Sequence, residues 1–376
     1  MDLAAIKITN LEAFAVAMPL VGVFTSGGKS KNVAKGVVVR LTAADGSVGI
    51  SSVDPSSRAV FPDRAEDLLI TINDRLKPLV IGMSAAQVNA ISQIMGQVSD
   101  SQQGARAAVE IACIDLTCRY LGISLSDYLG GMVTPRVDFN GWVGELPADE
   151  ATAEARRWVK AGFKSMKIKV GSDLTADIER VLAIRDAVGQ GIGLRIDANE
   201  QYQVKDALLL CDAVKSADLQ LFEQPVPHDD LDGLATIRRK GGIAIMADES
   251  ISDHASLLRV IRADCADYVK FGVAQAGGLM SAARMIATAE AAGLKVVMGH
   301  GFGLDMSTMT EIMVGAAFAN IMPGLECVGP LKVTDTVATT KLDISTGSYT
   351  LPAVTGLGIT LDPDKMARYG VADSVE

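Results

Sequence analysis

The sequence predicts an α/β fold: a parallel, TIM-like (β/α) barrel preceded by a smaller α+β unit. Short apolar runs alternate with amphipathic stretches from about residue 137 to residue 330, the strand–helix repetition of such folds. Each run ends on an ionisable residue, namely Lys169, Asp197, Glu223, Asp248, Lys270, His300 and Glu326, at steps of 28, 26, 25, 22, 30 and 26 residues. One step is the length of one βα unit. In a closed barrel such strand ends converge on one mouth, whereas an open sheet spreads them along an edge.

Taken in order, Ile6–Met18 is rich in β-formers, Gly36–Thr42 reads as a strand, and Ala44-Asp45-Gly46 as a hairpin turn. The Val21–Asn32 segment between the strands is polar and glycine-bearing. The pattern is helical from Pro62 to Leu129, and Leu129-Gly130-Gly131 carries a helix-stop signal. The chain changes character near residue 130. Beyond it lie the apolar runs Phe163–Val170, Gly193–Asn199, Leu219–Pro225, Ile243–Glu249, Asp267–Gly272, Leu294–His300 and Leu325–Gly329. Asp177–Val188, Lys205–Ser216 and Leu279–Ala292 are amphipathic helices between them.

Composition narrows the function. The 376 residues are 49% hydrophobic and 21% charged, which excludes a disordered chain and supports a large core. A net charge of −10 without a long Lys/Arg run argues against nucleic acid or an anionic membrane as partner. The cysteines Cys113, Cys118, Cys211, Cys265 and Cys327 lack metal-type spacing and are odd in number, so buried thiols in a reducing compartment are expected. Met1–Asn10 lacks the apolar core of a signal peptide and no apolar stretch has spanning length. A cytoplasmic, soluble protein is the expectation.

Asp197, Glu223 and Asp248 arrive from three successive strands. Facing carboxylates repel unless a cation lies between them, and all-oxygen ligation suits Mg²⁺, with Mn²⁺ second. Glu249 competes with Asp248, because adjacent strand residues point to opposite sides. Lys167 and Lys169 share one face of a strand, and Lys270 comes from the opposite arc. Nearby cations, the other lysine and the metal, lower a lysine's pKa, so one of these is expected to act as a base near neutral pH. A base on each side of a metal-held carboxylate suits removal of the proton alpha to it.

These residues resemble the enolase superfamily, in particular its muconate lactonizing enzyme subgroup (the mandelate racemase/muconate lactonizing enzyme family). The resemblance runs over essentially the whole chain. It rests on Lys167-Ile168-Lys169, Arg195-Ile196-Asp197-Ala198-Asn199, Phe222-Glu223-Gln224-Pro225, Met246-Ala247-Asp248-Glu249-Ser250 and Tyr268-Val269-Lys270, in order and at family spacing. Ala112–Asp115, Leu129-Gly130-Gly131, Gly329-Pro330-Leu331 and Gly356-Leu357-Gly358-Ile359 look like its further markers. Such enzymes pair a Lys or His base with one or two Mg²⁺ ions.

The resemblance implies a modified barrel over residues 131–330, a capping domain over 1–130, and a C-terminal segment, 331–376, completing barrel and cap. It implies that Asp197, Glu223 and Asp248 are the metal ligands, Lys169 and Lys270 the acid/base pair, and Lys167 a residue tuning or contacting the enolate. Asn199 becomes an orienter of the metal site and Glu326 a polar residue of the mouth. A homo-oligomer is a further expectation.

Departures from the family pattern bear on the substrate. Strand six ends in Lys270, so His300 lacks the aspartate of a His-Asp dyad and reads instead as a substrate contact. Leu325-Glu326-Cys327-Val328 lacks the Asp-x-Asp with which dipeptide epimerases hold an amino group, and Ser51-Ser52 stands where many relatives carry an acid. His228 and His254 read as surface residues. Specificity is assigned to Phe24–Lys31 and Val53–Arg58, with Trp142 and Phe302 at the mouth. Lys29, Lys31 or Arg58 would pair with a second anionic group; Phe24, Trp142 and Phe302 would instead surround an apolar or cationic one.

The leading expectation is a racemase or epimerase of an amino-acid-derived or related carboxylate, an isomerase acting on a small molecule. A muconate-type cycloisomerase or a dehydratase of the same fold is the alternative, since both share the lysine pair. A ligand-binding barrel without catalysis is the remote one.

Overall fold

The computed structural model describes residues 5–26, 29–55, 64–98, 102–299 and 302–371, with the side chains of 23–31 left out. The N-terminal strands β1 (Ile8–Ser26), β2 (Lys29–Ala43) and β3 (Val48–Val53) form an antiparallel sheet in that order. The polar segment expected between the first two strands belongs to their hairpin: Phe24 pairs with Lys31 and Ser26 with Lys29, after an irregularity between Pro19 and Phe24. Cross-strand backbone bonds satisfy the amides of a segment whose side chains carry no strand signal.

Helices follow this sheet: α1 (Ala65–Ile70), a π-turn at Thr71–Leu76, α2 (Lys77–Val80), α3 (Val88–Met95), α4 (Gln103–Leu121) and α5 (Leu125–Tyr128). The helix α4 is buried along most of its length. It lies close on β3, where a Cβ on Gly49 would stand 2.2 Å from the Ala112 carbonyl oxygen. Asp115, fully buried on α4, fastens three parts of the chain. Its carboxylate accepts from the backbone N–H of Ile50 (2.8 Å), the N–H of Leu357 (2.7 Å) and Nε of Arg119 (2.8 Å). Through Leu357 the C-terminal segment joins the first unit.

The parallel sheet runs β5 (Gly141–Val143), β6 (Ser165–Lys169), β7 (Gly193–Asp197), β8 (Leu219–Glu223), β9 (Ile245–Ala247), β10 (Tyr268–Phe271) and β11 (Lys295–Met298), each strand paired with the next. A short β4 (Arg136–Asp138) pairs instead with β12 (Ser348–Thr350). Helices α6 (Ala148–Ala161), α7 (Leu174–Val188), α8 (Val204–Ala213), α9 (Leu231–Gly241), α10 (His254–Ala263), α11 (Leu279–Ala291) and α12 (Asp305–Ala317) follow the strands β5 to β11 in turn. The run expected as an eighth strand is present only as isolated bridges, Val296 with Ile321 and Phe139 with Leu325. Pro323 and Gly324, the latter at φ 88°, break its ladder. It still closes the gap, because Glu326 N–H donates to Met298 O and Asn140 N–H to Leu325 O, both at 2.9 Å. The chain finishes with α13 (Gly329–Lys332) and α14 (Pro363–Tyr369).

One hydrophobic core lies between the barrel strands and their helices and extends to Val16, Met18 and Leu20 of β1; a second lies under the N-terminal sheet. Inside the barrel Leu221, Met246 and Val297 form a small apolar plug. All five cysteines are buried and free. Among the described residues no helix is long and apolar enough to cross a membrane.

Candidate active site

Above the apolar plug the barrel carries a charged layer. Strand alternation puts Lys167 and Lys169 of β6 on the inner face, and the register aligns Lys169 with Asp197 and Asp197 with Glu223. Asp248 follows β9 directly. Lys167 Nζ reaches Glu326 Oε2 at 2.6 Å, Glu223 Oε2 at 2.9 Å and Asp197 Oδ2 at 3.1 Å. Lys270 Nζ reaches Glu223 Oε1 at 2.8 Å, Glu326 Oε2 at 2.9 Å and Asp248 Oδ2 at 3.3 Å. Lys169 Nζ lies 2.7 Å from Asp197 Oδ2 and also donates to Asn199 Oδ1. Asp197, Glu223 and Asp248 thus stand in a row with an ammonium at either end and a third beneath. Among the described residues no three acidic, His or Cys side chains are drawn close enough to cage a metal by themselves.

Backbone and side-chain bonds hold the row in place. Asn199 donates its N–H to Asp197 Oδ1 (3.0 Å) and its Nδ2 to Glu249 Oε1 (2.9 Å), so Glu249 faces Asn199 while Asp248 faces Lys270. Gln224 Oε1 accepts the N–H groups of Asp248 (3.0 Å) and Ser250 (3.2 Å). Asn199, Glu200 and Gln224 take positive φ (42°, 72° and 34°) just past β7 and β8. Backbone of this kind persists where surroundings over-determine it, and it clusters at functional sites. Arg195, fully buried, donates to Pro323 O (2.6 Å) and Gly324 O (3.0 Å), anchoring the segment that carries Glu326.

The electrostatics follow from these contacts. Burial alone would lower the pKa of Lys167, but Glu223 and Glu326 hold it above the usual lysine range. Lys270 is likewise raised against burial by Asp248 and Glu223. Carboxylates surround both lysines more closely than the other lysines do, and a cation held among those carboxylates would act in the opposite direction. Burial and the Asp197 charge push Glu223 well above the ordinary carboxyl range. Asp197 is held low by Lys169 and Lys167 in spite of its burial.

The remaining expected residues fall in several places. Trp142 and Phe302 do come together, but the cation at their faces is the chain's own Lys332, 4.9 Å from the Trp142 ring centre and 4.4 Å from that of Phe302. Trp142 also packs on Trp158, ring centres 4.4 Å apart, and its carbonyl accepts the Trp158 indole N–H. Lys332 carried no sequence signal beyond following Gly329-Pro330-Leu331. Ser51 and Ser52 are structural: Ser51 Oγ donates to Ala108 O (2.6 Å), and Ser52 Oγ accepts the Ser307 N–H (3.1 Å) where the N-terminal unit meets the barrel. His228 pairs with Glu200, just past β7, at 2.6 Å, and His254 with Thr288 at 2.9 Å. His300 and Arg58 lie outside the described residues, as do the side chains of Phe24, Lys29 and Lys31. A cleft of about 830 Å³ lies between β1, β2 and α14, but none of its lining residues is on a barrel strand.

Comparison with known proteins decides the kinship. Residues 8–130 match the mandelate racemase/muconate lactonizing enzyme N-terminal domain, and residues 150–365 the enolase C-terminal domain-like family. The chain belongs to the mandelate racemase/muconate lactonizing enzyme family. Within this family it is 31% identical to L-Ala-D/L-Glu epimerase of Bacillus subtilis (strain 168), over 94% of this chain and 96% of that one. It is 28% identical to muconate cycloisomerase 1-1 of Acinetobacter lwoffii, over 98% and 97%. The crystal structure of N-succinyl Arg/Lys racemase from Bacillus cereus superposes with a TM-score of 0.92 at 25% identity, covering 97% of this chain and 98% of that one. These relatives are isomerases, and the chain is an enzyme of that class.

Proposed function

We propose that the chain removes the proton alpha to the carboxylate of a small-molecule substrate and returns one to the opposite face, as a racemase or epimerase of an amino-acid-derived or related carboxylate. The observation that carries this reading is the row Asp197–Glu223–Asp248 with Lys169 at one end and Lys270 at the other. A binding protein has no need of a proton-transfer group on each side of its ligand.

The donor chemistry of the row, though not its spacing as it stands, fits a hard divalent cation. Its donors are all oxygen, which suits Mg²⁺ first and Mn²⁺ second. Burial raises the pKa of Glu223 and the Asp197 charge adds to it, and a cation between these carboxylates would favour the charged form. Asp197, Glu223 and Asp248 would hold the ion, which supplies positive charge to the oxygens of a forming enediolate. The chain's own residues do the rest. Asn199 and Gln224 orient Asp197 and Asp248. Lys167 neutralises the floor of the site through Glu223 and Glu326. The Lys169 side chain is 34% exposed and opens to the mouth, whereas Lys270 is 8% exposed. The two address a substrate carbon from different sides, one taking the proton and the other donating.

Cycloisomerisation is the second reading, favoured by Cys327 and Val328 after Glu326 in place of paired aspartates that would hold an amino group. Proton NMR in D₂O with Mg²⁺ tests both, over N-acylamino acids, dipeptides, proline derivatives and muconate-like acids. Alpha-proton exchange with inversion supports the racemase. Conversion to a new skeleton supports the cycloisomerase or a dehydratase. Neither exchange nor conversion across the panel overturns the proposal.

A further inference from the structure

Asp248 and Glu249, consecutive residues after β9, send their carboxyl groups to different partners. Asp248 Oδ2 lies 3.3 Å from Lys270 Nζ, while Glu249 Oε1 accepts the Asn199 Nδ2 group at 2.9 Å. Asn199 stands just past β7, and β8 lies between β7 and β9, so this bond spans the end of a strand. On its other side Asn199 Oδ1 accepts from Lys169 Nζ of β6. An ammonium only donates and an ionised carboxylate only accepts, so the amide between them fits one way round. Its backbone is held too. The Asn199 N–H donates to Asp197 Oδ1 at 3.0 Å, its carbonyl accepts Gln201 Nε2 at 3.1 Å, and its φ of 42° is a left-handed value that asparagine adopts more readily than most residues.

We infer that Glu249 is a positioning residue for Lys169: through the Asn199 amide it sets where the Lys169 ammonium stands beside the substrate carbon. This inference rests on the proposed proton transfer from two faces. Lys169 has more need of such a hold than Lys270. Its side chain is 34% exposed against 8%, and a lysine side chain carries about 2 kcal/mol of rotamer entropy that packing must otherwise remove. Lys270 is gripped by Glu223, Glu326 and Asp248, whereas Lys169 is held by Asp197 and Asn199. Asp197 is shared with the proposed metal ion, so Asn199 is the contact that fixes the ammonium independently of the ion. One loop thus addresses both lysines, Lys270 directly through Asp248 and Lys169 through an amide that Glu249 orients.

The experiment compares the wild type with Glu249→Met, which removes the acceptor at nearly the same side-chain length, and Glu249→Gln, which keeps one. Alpha-proton exchange in D₂O with Mg²⁺ is followed for each enantiomer separately, on the N-acylamino acid or dipeptide that the wild type exchanges fastest. Lys169→Met identifies the enantiomer that Lys169 serves. Glu249→Met is expected to slow that enantiomer ~10- to 100-fold, as misplacing a reacting group by up to ~1 Å does, and to slow the other far less. Glu249→Gln recovers most of the lost rate and shows that folding is not at issue. Equal slowing of both enantiomers overturns the inference, and weaker Mg²⁺ binding alongside would make Glu249 a support for Asp197 instead. No slowing of either overturns it as well. Crystal structures of the two variants read the same point without turnover. The Lys169 ammonium is expected to leave its place at Asn199 in Glu249→Met and to keep it in Glu249→Gln; an unmoved ammonium in Glu249→Met overturns the inference. If the wild type exchanges neither enantiomer, the isomerase reading falls and the two crystal structures alone settle the part of Glu249.

Discussion

Glu110 of α4 accepts the backbone N–H of Met280 at 3.2 Å, so a carboxyl from the N-terminal unit caps the first turn of the barrel helix α11. The helix has no side-chain cap of its own, because its N-cap residue is Gly278. A Cβ there would collide with Glu110 Oε2, and Gly278 also sits at φ 133°. The two units are thus joined by a buried carboxyl filling the space of a missing side chain.

That joint carries a pH signature. Burial raises the Glu110 pKa to about 7 from an ordinary 4.5, only partly offset by the Met280 N–H, Arg284 and Ser92. The folded state therefore holds this proton more tightly than the unfolded state. Its stabilising effect is full below pH 4.5 and declines as pH rises to 7, a loss on the order of 3 kcal/mol. Glu110→Gln keeps an acceptor for Met280 and removes the titration. Melting temperatures of both proteins between pH 4.5 and 8 should show the variant gaining on the wild type as pH rises. Parallel curves would refute the assignment.

The second joint lies at Gly356. Its φ is 58°, and a Cβ there would stand 2.1 Å from Asp115 Oδ1 and 3.0 Å from Arg119 Cγ. Left-handed backbone alone costs an alanine about 1 kcal/mol or more, and the contact with a buried, multiply bonded carboxylate adds to it. Gly356→Ala should lose about 2 kcal/mol or more in denaturant unfolding, with the α-proton chemistry of the folded fraction retained. A loss below 0.5 kcal/mol would show that the C-terminal segment is not held here.

These two joints mark where the sequence stops being readable. The barrel is legible because one βα unit repeats and each unit leaves its charge at the same end, so Lys169, Asp197, Glu223, Asp248 and Lys270 announce a common mouth. The markers around Asp115 and Gly356 were visible as motifs, but their contact spans 241 positions and no local period encodes it. Lys332 is less legible still, since a lysine after Gly-Pro-Leu reads as a surface residue until Trp142 and Phe302 are folded against it. The carboxylates around Lys167 and Lys270 are hidden for a related reason. Sequence order shows which charges share a mouth, and only distances show which of them touch.

Lys167 should be structural when the site holds no cation. Removing it leaves Asp197, Glu223 and Glu326 facing one another in the barrel floor, and breaking a buried ion pair from one side costs about 3–5 kcal/mol. In EDTA, Lys167→Met is expected to melt well below the wild type. Added Mg²⁺ should then raise its melting temperature by more than it raises that of the wild type, because a dication replaces the lost charge. Glu223→Gln should show the opposite, melting near the wild type in EDTA and gaining little from Mg²⁺. Equal Mg²⁺ responses in all three proteins would rule out the carboxylate row as the metal site.

Lys169 and Lys270 give the sharpest test of the chemistry. If each serves one face of the substrate carbon, Lys169→Met and Lys270→Met both stop interconversion of the enantiomers, with losses of about 10²–10⁴-fold. Each variant still exchanges the alpha-proton of one enantiomer with D₂O, and the surviving enantiomer differs between the two. NMR of the separate enantiomers reads this directly. Survival of the same enantiomer in both variants would mean that the lysines act on one face. Full loss of exchange for both enantiomers in one variant only would make that lysine the sole base and favour cycloisomerisation, in which a single proton-transfer group suffices.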